Sequence, residues 1–393
     1  MLKNKDERLY QYCEQLNPAF IDLWQKLVNI DSGTGYGEGL TQVGNIVVAF
    51  LREISAEIET IPVQGGQGGF HIIATLQGTG KGKVLALAHM DTVFDRGTVA
   101  ARPFRIEDEW AYGPGVSDCK GSVALCLFAL KILSEYNYQD YSTISCIFNC
   151  DEEMGSTDSK HVIQTLAREY DVVLCCEPGQ LGDGVVLSRK GSAVMKVEVQ
   201  GRASHAGNAP KDGRNALMEL VHQISKLSQL GKNDPDASLN FTTIEAGSKT
   251  NVIPDYAVAQ ADIRITEEAQ LIRIEDESSR IAQETMVPDT TVTIEIIRHN
   301  PPFPQNSGTS TLIAKAQEIY GELGLTLKTV NAGGASDANW AAATGAIAID
   351  GLGPVKGGIN HTDKERTNIH SVVPRLYLLT RLFMELGSKP LTF

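Results

Sequence analysis

The sequence predicts an α/β protein whose main sheet is interrupted by an inserted α+β domain. Three observations carry that expectation. Apolar strand-like runs alternate with helical patterns in the first half, the texture changes to alternating strands between about Gly191 and Asn300, and the first style resumes near the end. With 393 residues, 42% hydrophobic and 21% charged, the chain has an ordinary globular composition and is too long for one compact core.

The elements follow in order. Lys83 to Met90 (KVLALAHM) reads as a buried strand, SVALCLFALKILSEY as a helix, and Thr143 to Cys150 (TISCIFNC) and Asp171 to Cys176 as further strands. Alternation at Ala193, Met195, Val197 and Val199 marks a half-buried strand. A helix around NALMELVHQISKL, strands at SLNFTTIEAG and YAVAQADIRIT, a helix after Thr266 and a strand at TVTIEII complete a split unit. The glycine and proline segments SRKGS and HNPPFPQNSG are expected to be irregular crossings, dividing the chain into 1–190 plus 301–393 and an insertion of 191–300. Gly345 to Asp350 and the helical VVPRLYLLTRLFMEL return to the first domain.

Charge and composition exclude several classes. A net charge of -13 without a basic run disfavours a nucleic-acid partner, and no stretch reaches membrane-spanning length. The opening MLKNKDERLYQYCEQL lacks the apolar core of an export signal, and seven cysteines form an odd set set mostly in apolar runs, so a reducing cytoplasmic location is expected. GTGKGK lacks the spacing and following helix of a phosphate loop, and GGQGGF lacks the helix of a dinucleotide fingerprint. Neither a G-x-S-x-G elbow nor an H-E-x-x-H helix is present.

Three separate apolar strands end in a candidate ligand: His89, the Glu152-Glu153 pair and Glu177. Loops beyond the carboxyl ends of strands form the ligand crevice of open α/β sheets, so these side chains are expected to converge. Asp118, in the glycine-rich turn YGPGVSDCKG, and His361, in GGINHTD, add an acid and an imidazole. Singly, each has an ordinary reading as a strand cap, a solvated turn or a helix cap. Together, imidazole nitrogen and carboxylate oxygen suit zinc, and the set serves two ions only if one acid bridges, for which Asp118 is chosen. Two Zn²⁺ against three ligand carboxylates and a hydroxide leave such a site near neutral. Asp91, two residues past His89, is placed to accept the second ring N–H of that histidine.

The motifs AHMDTV, GPGVSDCKG, NCDEEMGS, CCEPG, GRASHAG, TNVIP, ADIR, GGASDA and HTDKE, in that order, resemble a family of two-zinc peptidases and deacylases. It contains glutamate carboxypeptidase, acetylornithine deacetylase, succinyl-diaminopimelate desuccinylase and aminoacylase, and glutamate carboxypeptidase looks closest. The resemblance implies a zinc-dependent exopeptidase-like α/β catalytic domain with an inserted ferredoxin-like dimerisation, or lid, domain. It implies that His89 and Glu177 hold one zinc, Glu153 and His361 the other, and Asp118 bridges them, with cobalt or manganese as alternatives to zinc. A cis peptide at Asp118-Cys119 is implied too. Glu152 becomes the general acid/base acting on a water that bridges the metals, and His205 a catalytic residue reaching the partner subunit's site in a homodimer. Asn251 and Arg264 become substrate contacts, Arg264 by gripping a carboxylate. The implied reaction is hydrolysis of a peptide or N-acyl amino-acid amide bond beside a free carboxylate. Carbamoyl or ureido amidohydrolysis and a non-catalytic ligand-binding role are the alternatives. Where glutamate-gripping members carry an arginine and a lysine, this chain has Asn300 and Val185, with Arg298 two residues off, so the resemblance does not carry the glutamate preference. Cys119 and Lys120 receive no role.

Overall fold

The computed structural model describes residues 4–64, 68–232 and 234–391. Residues 65–67 of GGQGGF and the first three residues of the chain lie outside the described residues. The elements used below are α1 (Asn4–Val28), β1 (Glu57–Pro62), β2 (Phe70–Gln77), β3 (Lys83–His89), α2 (Gly121–Glu135), β4 (Thr143–Asn149), β5 (Val172–Cys175), β6 (Gly184–Arg189), β7 (Gly191–Gln200), α3 (Ala216–Leu227), β8 (Ser238–Ala246), β9 (Tyr256–Ile265), α4 (Glu268–Ile281), β10 (Thr291–Asn300), β11 (Ala348–Ile349) and α5 (Val372–Ser388).

The chain divides into two bodies. The first comprises Met1–Ser188, Gln305–Ala332 and Ser336–Phe393, and the second Arg189–Pro304 with Gly333–Ala335. The cuts differ slightly from the glycine and proline signals. Arg189 and Phe303 exchange both backbone hydrogen bonds, at 2.9 and 3.0 Å, so the entering and leaving strands are tied together and travel with the insertion. Gly334 joins the same body by accepting from Arg189 Nη1 at 3.0 Å. SRKGS is the crossing expected of it but is extended rather than irregular: β6 runs through Arg189, and β7 starts at Gly191. The extended pairing satisfies backbone groups that an irregular segment would leave open.

In the first body the sheet order is β1-β2-β4-β3-β5-β11. β4, β3, β5 and β11 run parallel, while β1 and β2 add an antiparallel edge. The parallel strands are buried on both faces, which explains their unbroken apolar runs. One covering helix, α2, has twelve buried residues and almost no polar face, as expected of a helix enclosed by α1, α5 and the sheet. In this core Phe20 meets Trp24 edge-on and Phe128 at a tilt, with centroids 5.9 and 5.5 Å apart. The turn between β2 and β3 is the GTGKGK segment, and it cradles no helix N-terminus.

The second body is a four-stranded antiparallel sheet in the order β8-β9-β7-β10 with α3 and α4 packed on it. Its chain order of strand, helix, strand, strand, helix, strand is the split arrangement of ferredoxin-like domains. Ala193, Met195, Val197 and Val199 form the buried face of β7, and their partners on β9 are Ile263, Ala261, Ala259 and Ala257. The fold is therefore a mixed α/β domain with a ferredoxin-like insertion. Among the described residues no helix is long and apolar enough to cross a membrane.

Candidate metal centre

Strand order converts three distant sequence positions into neighbours. β3 lies between β4 and β5, all three parallel, with His89 opposite Asn149 and Leu87 opposite Cys175. The residues that follow each strand end, His89 itself, Glu152-Glu153 and Glu177, therefore leave the sheet on the same edge. Asp118 comes from the turn before α2, where the Asp118-Cys119 peptide is cis. His361 sits in the loop after β11 with a left-handed φ of 64°, a backbone state that non-glycine residues hold only when surrounding contacts impose it.

Five of the sequence-derived candidates meet in two groups that share one carboxylate. The donor atoms of His89, Asp118, Cys119 and Glu177 all lie within 4.8 Å of one another, and so do those of Asp118, Glu153 and His361. His89 Nε2 is 3.0 Å from Asp118 Oδ1 and 3.6 Å from Glu177 Oε1. His361 Nε2 is 3.1 Å from Asp118 Oδ2 and 3.2 Å from Glu153 Oε2. Each oxygen of Asp118 thus faces a different imidazole, the geometry a bridging carboxylate requires.

Asp91 organises this arrangement from beneath. The Nδ1 atom of His89 lies 3.3 Å from Asp91 Oδ1 and 3.1 Å from its carbonyl oxygen, so Nδ1 donates to Asp91 and Nε2 is held facing the carboxylates. The Asp91 carboxylate also accepts from Thr34 Oγ1 at 2.6 Å and from the backbone N–H groups of Glu152 and Glu153, both at 3.2 Å. One buried acid therefore sets a histidine tautomer and the position of the acidic pair.

The electrostatics call for added positive charge. Hydrogen bonds to Asp118 and Glu153 push the His361 imidazole up to about 10, so a cationic ring sits between two carboxylates. Burial and then the nearby Glu177 carboxylate raise Glu152 well above the usual carboxylate range. Glu153 has a side chain only 6% exposed, and its Oε1 has no hydrogen-bond partner among the described residues. A buried carboxylate oxygen without a partner is costly, and a cation would satisfy it. The donor set of imidazoles and carboxylates fits zinc or a similar divalent ion.

The remaining candidates lie in the second body. His205 and Asn251 come together there: Ser204–His205 pairs with Val252–Ile253, and Ala206 N donates to Asn251 O at 2.9 Å. His205 is exposed, and its Nδ1 accepts from Gly207 N at 3.1 Å and Asn208 N at 3.0 Å. Those contacts put the ring proton on Nε2, leaving an outward N–H donor. On β9, the guanidinium of Arg264 takes Asp262 in a two-pronged contact, 3.0 Å from Nε and 3.1 Å from Nη2. Its Nη1 edge is not part of that contact. At the positions raised for glutamate recognition, Asn300 donates to Ser192 Oγ at 3.3 Å, Val185 is buried in the first core, and Arg298 is held by Glu268 and Glu275. Arg298 is thus committed to α4.

Four contributors escaped the sequence reading. Asn360 Nδ2 donates to Asp118 Oδ2 at 3.0 Å. Glu365 accepts from Ser117 N and Asp118 N at 2.9 and 3.1 Å, holding the Asp118 turn against the loop of His361, and burial raises its carboxyl to about 7. Asp337 receives Asn149 Nδ2 at 2.8 Å and the Ser156 hydroxyl, bracing the segment after β4. Cys119 joins the His89 group. Cys119, Asp337 and Glu365 fall within the motifs GPGVSDCKG, GGASDA and HTDKE, and Asn360 directly precedes His361, but nothing local marked what each would hold.

Comparison with known proteins agrees with this architecture. Residues 85–385 match the model of peptidase family M20/M25/M40. Carboxypeptidase G2 of Pseudomonas sp. (strain RS-16) is 36% identical over 391 residues, covering 99% of this chain and 94% of that protein. A succinyl-diaminopimelate desuccinylase of Stenotrophomonas maltophilia (strain R551-3) is 29% identical over 328 residues, covering 78% of this chain and 86% of that one. The crystal structure of aminopeptidase PepT from Bacillus cereus ATCC 10987 superposes with a TM-score of 0.80 at 22% identity, over 94% of this chain and 98% of that chain.

Proposed function

This chain belongs to peptidase family M20/M25/M40, and from that premise we propose that it is a two-zinc hydrolase of small peptides or N-acyl amino acids, cutting the amide bond beside a free carboxylate. Membership of the family makes it a metal-dependent hydrolase. The observation that carries the finer reading is the pair of donor groups sharing Asp118. In this reading His89 and Glu177 hold one ion, Glu153 and His361 the other, and Asp118 spans both.

Bound zinc supplies Lewis acidity and lowers the pKa of coordinated water to about 7. The chain's own residues supply the rest. Glu152 is the acid left over once ligands are assigned, and its raised affinity for protons suits a group that takes a proton during attack and returns it to the leaving amine. His205, with its Nε2–H directed outward, suits polarisation of the scissile carbonyl from a partner subunit. A homodimer through the second body, with Asn251 beside His205 as a substrate contact, belongs to the same proposal. Arg264 offers its Nη1 edge to a substrate carboxylate while Asp262 steadies the other side of the fork. A cytoplasmic location is supported by an odd set of seven cysteines, all of them buried.

The test combines a substrate panel with one variant. N-acyl amino acids and C-terminal dipeptides are assayed with zinc and with a chelator, and Glu152→Ala is compared at equal metal content. Loss of general acid/base work should lower kcat by about 10²- to 10⁴-fold. Turnover insensitive to the chelator, or a near-normal variant, would refute the mechanism.

A further inference from the structure

Cys119 follows the shared Asp118, and its Sγ lies among the donors of His89, Asp118 and Glu177, every pair within 4.8 Å. On one tetrahedral zinc ion a thiolate and an imidazole nitrogen stand about 3.6 Å apart, inside the span these donors occupy. A contraction of the group by about an ångström would place all four donors on one ion. The thiol is fully buried, donates weakly to Cys176 O at 3.4 Å and lies within hydrogen-bonding reach of the His89 ring. A cation nearby is independently indicated by the buried, unpartnered Oε1 of Glu153 in the adjoining group.

The two groups are unequal. His89, Asp118, Cys119 and Glu177 are all buried, whereas the Asp118, Glu153 and His361 group includes a half-exposed imidazole and no sulfur. Thiolate sulfur favours zinc and cobalt, while magnesium and manganese favour oxygen.

Building on the metal-centre reading above, we propose that Cys119 is a further ligand at the His89 position, making it a sulfur-bearing site selective for thiophilic divalent cations. On binding, the Sγ proton passes to the buffer as the sulfur–cation bond forms.

Cobalt reports the difference directly, because a Co²⁺–thiolate bond adds near-ultraviolet charge-transfer absorption to the visible bands that any tightly bound Co²⁺ shows. The metal-free full chain is titrated with Co²⁺, alongside Cys119→Ser, with metal content measured in both. We expect charge-transfer absorption in the unaltered protein and its loss in Cys119→Ser, with the visible bands retained. Visible bands without charge transfer in the unaltered protein would overturn the sulfur ligand while leaving the metal centre standing. Persistence of charge transfer in the variant would assign it to another of the seven cysteines and also overturn the proposal. No bound cobalt at all would instead sink the metal-centre reading. If Cys119→Ser does not fold, Cys119→Ala serves the same comparison, and the unaltered spectrum retains its power to refute.

Discussion

Residues at this site act in layers, and Asp91 shows why the second layer matters. Its carboxylate meets His89 Nδ1, Thr34 and two backbone N–H groups at once, so it fixes both a ligand tautomer and the approach of the Glu152-Glu153 pair. Asp91→Ala should weaken binding of the ion at the His89 position by about 10- to 100-fold. Titration of apoprotein with zinc against a competing chelator checks this, and an unchanged affinity would remove Asp91 from the supporting role. The histidine partner of Asp91 was legible from a spacing of two residues past a strand end. Glu365 was not, because its task is to accept N–H groups 247 and 248 residues earlier in the chain, a pairing that only folding creates.

At the scale of elements, the strand ends at His89, Asn149 and Cys175 were readable because parallel strands buried on both faces must be apolar throughout. What periodicity missed was β6, whose continuation to Arg189 is secured by pairing with Phe303 rather than by any local preference. The late helix α5 is the strongest apolar element to rejoin the first core, and Phe383 on it is completely buried. Truncation there removes a ring and leaves a cavity that neighbours fill only partly. Phe383→Ala should cost about 3–5 kcal/mol of stability, read as a lower denaturant midpoint with an unchanged slope. A loss below about 1 kcal/mol would mean that the core collapses around the gap more freely than close packing allows.

For the whole molecule, the proposed assembly places His205 and Glu152 of different subunits in one site. Mixing His205→Ala protein with Glu152→Ala protein, each nearly inactive, should therefore restore activity, since a mixed dimer holds one site with both residues intact. Random reassortment puts half of the dimers in mixed form with one good site each, so about a quarter of the unaltered activity is the expected ceiling. Absence of rescue after subunit exchange, verified by a tagged partner, would confine His205 to its own subunit or remove it from catalysis.

The amino-acid sequence by itself determined that strands, helices and an inserted split unit would form, and which acids and imidazoles stood at strand ends. Apolar runs and their periods are local properties, and local properties are enough for that. Only the tertiary structure decided that β3 lies between β4 and β5, that each Asp118 oxygen faces a different histidine, and that Cys119 stands among the donors of His89. Those facts depend on strand order and side-chain direction. Both are set by how the whole core packs, and no short window of residues contains them.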